Sequence, residues 1–200
     1  MKRVRSRSPL ALQRFREAKV LAAAGDREQA VEGYLAAVAA DPGFAEAHVN
    51  LGILYSQMGE LHQGDALRCL KRGVELNRSS ARAHYNLGVA LARGNAIDEA
   101  IAAFEGALAI EQEHKNALYA LAVQWNRRGD PARAATYHRR YQRAMVGMPA
   151  APEGDEAVAP SATPPARVRA PSTSYFHPRS GVATPSSASA RPFLRIRFTR

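Results

Sequence analysis

This chain is short of several things, and each shortage excludes something. It has one cysteine, Cys69, so no intramolecular disulfide can staple it. It has no run of about 18 apolar residues, which argues against a membrane span. Its N-terminal MKRVRSRSPLALQRFREAKV is basic, but Arg14 and Arg16 break up any apolar core of a secretory signal. The cytoplasm is the expected compartment. Proline is scarce before residue 148, because nine of the twelve prolines follow it. Any packed core therefore lies in the first three-quarters of the chain. Chemistry is scarce too. There is no G-x-S-x-G elbow and no phosphate-binding glycine loop. The six histidines are scattered, with no H-x3-H or C-x2-C spacing to hold a metal. The expectation is a protein that is not an enzyme, with no cofactor and no metal.

What is present is unevenly placed. The net charge is +10. Much of the excess sits at the ends, on Lys2, Arg3, Arg5 and Arg7 and on seven arginines after residue 145. Basic ends can hold phosphate backbones. The arm KRVRSRS has no interleaved aromatics to stack on bases, which disfavours nucleic acid. Residues 147–200 are rich in Pro, Ala, Ser and Thr. They hold too little apolar surface to offset ordering entropy, so a disordered basic tail is expected. Its last ten residues, RPFLRIRFTR, alternate apolar and basic positions, a pattern that can add as a strand to a partner.

The middle of the chain repeats itself. GDREQAVEGYLAA, NAIDEAIAAFEGA and GDPARAATYHRRY align on Gly25, Asn95 and Gly129. Ala100 and Ala134 are 34 residues apart, and Ala30 lies 70 before Ala100. The missing member starts at Gly59 and reaches Ala66 two residues late. Repeat two thus carries a two-residue insertion near His62–Gly64. Each unit reads as two helices. In repeat two, Ala47, Leu51, Leu54, Tyr55 and Met58 share one helical stripe. Gly59, and Asn95 in repeat three, mark helix ends that need a left-handed residue. Asp26 and Asp130 read as N-caps, the second followed by Pro131. Such pairs bury their stripes only by stacking.

These residues resemble the tetratricopeptide repeat (TPR), whose pattern runs W-x2-L-G-x2-Y, then A-x3-F, alanine and proline. Leu51-Gly52-x2-Tyr55 matches its first half. Ala30-x3-Tyr34, Ala37 and Pro42 match its second half, as do Ala100-x3-Phe104 and Ala107. Leu121, Ala122 and Trp125 match the first half of repeat four. Departures are Glu17 in place of leucine, and Arg78 and Gln112 in place of the terminal proline. His138 and Tyr141 also depart, and predict a frayed last helix. The resemblance implies an all-α, TPR-like α-solenoid of about four helix-turn-helix repeats. The organisation expected is a basic arm at 1–9, an array at 10–145 and the tail at 147–200. Within the array the repeats span about 11–44, 45–80, 81–114 and 115–146.

The resemblance also implies a concave face made by the first helices, where extended peptides bind. Spacings of four and three place Asn50, Ile53 and Gln57 on that face with Glu46. Arg82, Asn86, Val89 and Arg93 occupy it in repeat three. Repeat four offers Asn116, Ala120, Val123 and Arg127; repeat one offers Leu12, Arg16, Lys19 and Ala23. Arg16, Lys19, Arg82, Arg93 and Arg127 oppose Glu46 alone, which favours an acidic partner. In related arrays, including that of O-linked N-acetylglucosamine transferase, asparagine at the position of Asn50 and Asn86 holds peptide backbone along a ladder. The chaperone clamp for a terminal carboxylate needs a lysine and an asparagine where this chain has Phe15 and Lys19, so that partner is disfavoured. Asn50 and Arg82 match two other clamp positions. His48 and His84, at equivalent repeat positions, read as packing residues.

The function expected is a non-catalytic scaffold or adaptor. It would hold an extended, acidic segment of a protein or peptide partner in its groove. Two alternatives remain open. One is the substrate-recruiting part of a transferase whose catalytic domain lies elsewhere. The other is weak nucleic-acid binding through the basic ends.

Overall fold

The computed structural model describes residues 8–147. The basic arm, the tail and its terminal RPFLRIRFTR lie outside the described residues. Among those described there are eight α-helices and no strand. They are α1 (Pro9–Ala24), α2 (Arg27–Ala40), α3 (Ala45–Gln57), α4 (Gln63–Leu76), α5 (Ala81–Arg93), α6 (Ile97–Ile110), α7 (Lys115–Arg128) and α8 (Pro131–Met145).

The helix ends follow their local chemistry. Gly25 and Gly129 stand in the left-handed region at φ 94° and 88° after α1 and α7. Asn95 takes the same role after α5 at φ 59°. In all three, the next residue's N–H reaches back to a carbonyl five residues earlier: Asp26 to Leu21, Ala96 to Leu91 and Asp130 to Trp125. This satisfies carbonyls that a helix end leaves open. The cap expected of Asp130 is formed, its carboxylate accepting from the Arg133 N–H at 3.0 Å. The one expected of Asp26 is not, as its side chain makes no cap hydrogen bond. Between α3 and α4 the chain makes a 3-10 turn, Glu60–His62. Its extra residues are absorbed there, and α4 still spans as many residues as α2 and α6.

Consecutive helices pack as four antiparallel-connected pairs, α1/α2, α3/α4, α5/α6 and α7/α8, each joined to the next. Within a pair the approach is close. A Cβ added to Gly52 would lie 2.6 Å from Leu70, and one added to Gly88 would lie 2.6 Å from the Phe104 ring. Leu70 and Phe104 are fully buried against these glycines. Each such side chain contributes about 1.5–3 kcal/mol of burial. The core runs along the array with alanine at the tightest positions: Ala18, Ala30, Ala66, Ala83, Ala100 and Ala117 are all buried.

The last helix is not frayed, contrary to the sequence expectation. α8 runs for 15 residues. Tyr137 and Tyr141 pack on the core of the last two pairs. The Tyr137 hydroxyl donates to Glu105 Oε1 at 3.3 Å. Burial, with the Glu105 charge beside it, pushes the Tyr137 hydroxyl up to about 12. Burial also raises the Glu105 carboxyl, an effect that the tyrosine bond and nearby arginines oppose.

His48 and His84 occupy one role twice. Each is half-buried, and each donates Nε2–H to a carbonyl of the loop before its helix. The acceptors are Pro42 at 3.2 Å and Arg78 at 3.1 Å. These histidines brace inter-repeat turns. Cys69 is half-buried on α4, where burial raises its thiol and leaves it poorly suited to react as thiolate.

Candidate functional site

The first helices make the inner layer. α3 lies against α5, and α5 against α7, whereas the second helices do not pack on each other comparably. A stack that is tighter on one side curves toward that side. The inner surface therefore carries the outward faces of α1, α3, α5 and α7.

In the N-terminal half, Arg16 and Lys19 are exposed on α1 and make no hydrogen bond or ion pair among the described residues. Ile53 is partly buried. It packs with Val49, Leu70, Ala83 and Ala90 in the core. Gln57 is exposed at the end of α3.

The two asparagines differ. Asn50 joins three pairs. Its Nδ2 donates to the Tyr34 hydroxyl at 3.5 Å, and its Oδ1 accepts from Arg82 at 2.7 Å. Tyr34 belongs to α2, Asn50 to α3 and Arg82 to α5. Burial raises the Tyr34 hydroxyl, and the Asn50 bond and Arg82 charge oppose it. Asn86 has no such relay, because Leu70 stands where repeat one has Tyr34. Its Nδ2 turns instead to the Arg82 carbonyl in its own helix, at 2.7 Å. Each amide keeps one N–H and oxygen lone-pair capacity for another group.

Arg93 and Arg127, also at equivalent positions, share one geometry. Arg93 donates to the carbonyl of Ser56, and Arg127 to that of Ala92 at 3.4 Å. Each guanidinium thus reaches back over the last turn of the preceding first helix, where positive charge is favoured. Arg127 also donates to Asn95 Oδ1 at 2.8 Å and Gln124 Oε1 at 3.2 Å. All these acceptors are neutral. Neither arginine makes an ion pair among the described residues.

Between α5 and α7 the inner face opens into a pocket of ≈ 390 Å³. Val89, Arg93, Asn116, Ala120, Val123 and Arg127 line it, all from the face read off the sequence. Tyr85, Ala92, Phe104, Tyr119 and Gln124 complete it, and lie off the stripe that spacing selects. Tyr119 is 52% exposed, with its ring 5.5 Å from that of Tyr141. Tyr85 is held between Phe104 and His114, at 5.7 Å and 5.1 Å. The lining contains no carboxylate. A tyrosine directly before Ala120 of the stripe is the signal that the sequence offers for Tyr119.

On the opposite side of α7, Trp125 is buried between two guanidinium groups. Arg133 lies 4.4 Å and Arg128 4.9 Å from its ring centroid. Arg128 is itself paired with Asp98 at 3.0 Å. The indole N–H finds no acceptor among the described residues. This cluster anchors the last pair. Among the described residues, no group of His, Cys, Asp and Glu is placed to hold a metal, and no helix is long and apolar enough to cross a membrane.

Stacked helix pairs with a tight inner layer define a helical-repeat solenoid. Family models assign its repeats. A tetratricopeptide-repeat model matches residues 64–114 and 97–149, and a TPR-repeat model matches residues 18–59. The chain belongs to the tetratricopeptide-repeat family, whose arrays bind proteins and are typically non-catalytic. It is similar to a crystal structure of MamA, with 23% identity over 68% of this chain and 79% of that one, at a TM-score of 0.65. A second MamA crystal structure is 26% identical over 69% and 74%, at 0.64. MamA from Desulfovibrio magneticus RS-1 is 21% identical over 70% and 78%, at 0.64. No curated protein sequence matches the chain significantly.

Proposed function

We propose that this array is a scaffold that holds an extended, acidic segment of a partner protein along its inner face. One observation carries the reading: Arg93 and Arg127 face the α5–α7 pocket bonded only to neutral acceptors, and no carboxylate lines that pocket. Their positive charge is left for a ligand to neutralise. Arg93 has four guanidinium N–H groups beyond its bond to Ser56, and a fork of such donors suits a carboxylate. Arg82, Arg16 and Lys19 extend the positive face toward the N-terminal half. Asn50 and Asn86, with their remaining amide capacity, would hold peptide backbone. Gln57 and Ile53 would border that path.

The test is a peptide array of acidic, neutral and basic sequences, probed with the full chain and with Arg93→Glu/Arg127→Glu. Acidic peptides are expected to bind the wild type, more weakly as salt rises, and to lose binding to the charge-reversed variant. Equal binding of all three classes, or no loss on charge reversal, would remove the reading.

A further inference from the structure

We infer that the α5–α7 pocket takes one large apolar side chain of the partner segment, while Arg93 and Arg127 take a carboxylate beside it. This rests on the acidic-segment reading and narrows it to a motif: an aromatic or long aliphatic residue next to an acidic one.

The pocket has an apolar floor and a charged rim. Val89, Ala120, Val123 and the rings of Tyr85 and Tyr119 supply the apolar surface. Tyr119 and Val123 stay 52% and 37% exposed, so their surface is available to cover a side chain. The volume of ≈ 390 Å³ falls at the small end of the roughly 300–1,000 Å³ typical of ligand clefts. That suits a single anchoring residue better than a large cofactor.

Gln124 adds a third feature. It is 5% exposed, lines the pocket, and its Oε1 accepts from Arg127. That bond fixes which end of the amide faces which way. Its Nε2 has no acceptor among the described residues. The Trp125 indole nitrogen is the one buried side-chain atom without a partner among the described residues, so this amide nitrogen reaches solvent, and water is its acceptor until another arrives. A peptide carbonyl beside the anchor would replace that water. Charge complementarity thus points to an acid, the apolar walls to an anchor, and the solvent-reaching donor to a main chain. The three occur together in a peptide.

The N-terminal half of the inner face lacks this combination. Asn50 there is already bonded to Arg82 of repeat three, and Ile53 is packed partly against the core. Binding free energy is accordingly concentrated in repeats three and four.

The experiment is fluorescence anisotropy with the full chain and three labelled peptides. The first is glutamate-rich with one central phenylalanine. The second has alanine there. The third keeps phenylalanine but replaces glutamate with glutamine. The first is expected to bind at least about tenfold more tightly than either of the others, as burial of one aromatic side chain allows. Tyr119→Ala and Val123→Ser, both at exposed positions, are expected to bring the phenylalanine-to-alanine affinity ratio toward one. Their helicity by circular dichroism should match the wild type. If both glutamate peptides bind alike, the anchor is overturned and the acidic-segment reading stands. If neither binds, both fall. If the glutamine peptide binds as tightly as its glutamate twin, the carboxylate assignment is overturned.

Discussion

Arg93, the last residue of α5, donates a hydrogen bond to the main-chain carbonyl of Ser56 in the preceding first helix. A side chain of repeat three thereby caps the end of a helix in repeat two. Replacing Arg93 by methionine keeps an apolar stem and removes the charge and donors. Stability in urea is expected to fall by about 0.3–1 kcal/mol, the usual worth of a cation at a helix C-terminus. An unchanged unfolding midpoint would show that the bond is only geometric.

The Tyr34–Asn50–Arg82 relay should show as non-additivity. Asn50→Ala and Arg82→Ala, alone and together, are expected to give a coupling of about 0.5–1 kcal/mol in chemical denaturation. Asn86→Ala gives up only a bond within its own helix and gains helix propensity, so it should change stability by less than about 0.5 kcal/mol. Purely additive Asn50 and Arg82 effects would contradict the relay.

His48 predicts a dependence on pH. Burial is the main cause that lowers it from its ordinary 6.5; the Arg72 charge acts the same way, and its bond to the Pro42 carbonyl opposes both. The folded state therefore prefers the neutral ring, while the unfolded chain binds a proton at the ordinary value. Its contribution is fully present above pH 6.5 and is lost as pH falls through the lowered folded value. Melting temperature of the wild type minus that of His48→Gln should decrease on going from neutral to acidic buffer. A difference constant across that window would rule this out. Glu105 titrates in both proteins and cancels.

Trp125 carries a buried N–H with no acceptor among the described residues. Phenylalanine removes that liability and keeps a ring for Arg128 and Arg133. Trp125→Phe is expected to cost less than about 1 kcal/mol, because the orphan donor disappears with the lost volume. Trp125→Ala should cost about 3–5 kcal/mol. Equal losses for the two, read by thermal melts, would mean that the indole N–H is satisfied after all.

The fold was legible because its signal is repeated. A period of 34 places Gly25, Asn95 and Gly129 at the same turn, and each of them takes positive φ in the structure. Local errors came where neighbours decide. Asp26 looks like a cap as good as Asp130, yet only Asp130 has its carboxylate turned onto the helix end. His138 and Tyr141 suggest fraying, but the bond from Tyr137 to Glu105 on α6 supports that helix. The inner face was partly legible as well. Stripe spacing finds Val89, Arg93 and Arg127, but it cannot see that both arginines reach backward over another helix. Nor can it separate Asn50 from Asn86, whose surroundings in their own helices are nearly the same. The difference lies in the second helix behind each one, where Tyr34 has a hydroxyl and Leu70 has none.

The backward reach of Arg93 and Arg127 makes the array directional. Repeats three and four each carry, at the end of the first helix, the part that fastens them to their predecessor, and need nothing from a successor to do so. A segment of this kind can be duplicated in tandem with its fastening already built in. Lengthening the array by copying the segment that holds Arg127 would add one more such joint, whereas cutting the chain before Arg127 would leave the Ala92 carbonyl with only the Asn95 N–H as its donor.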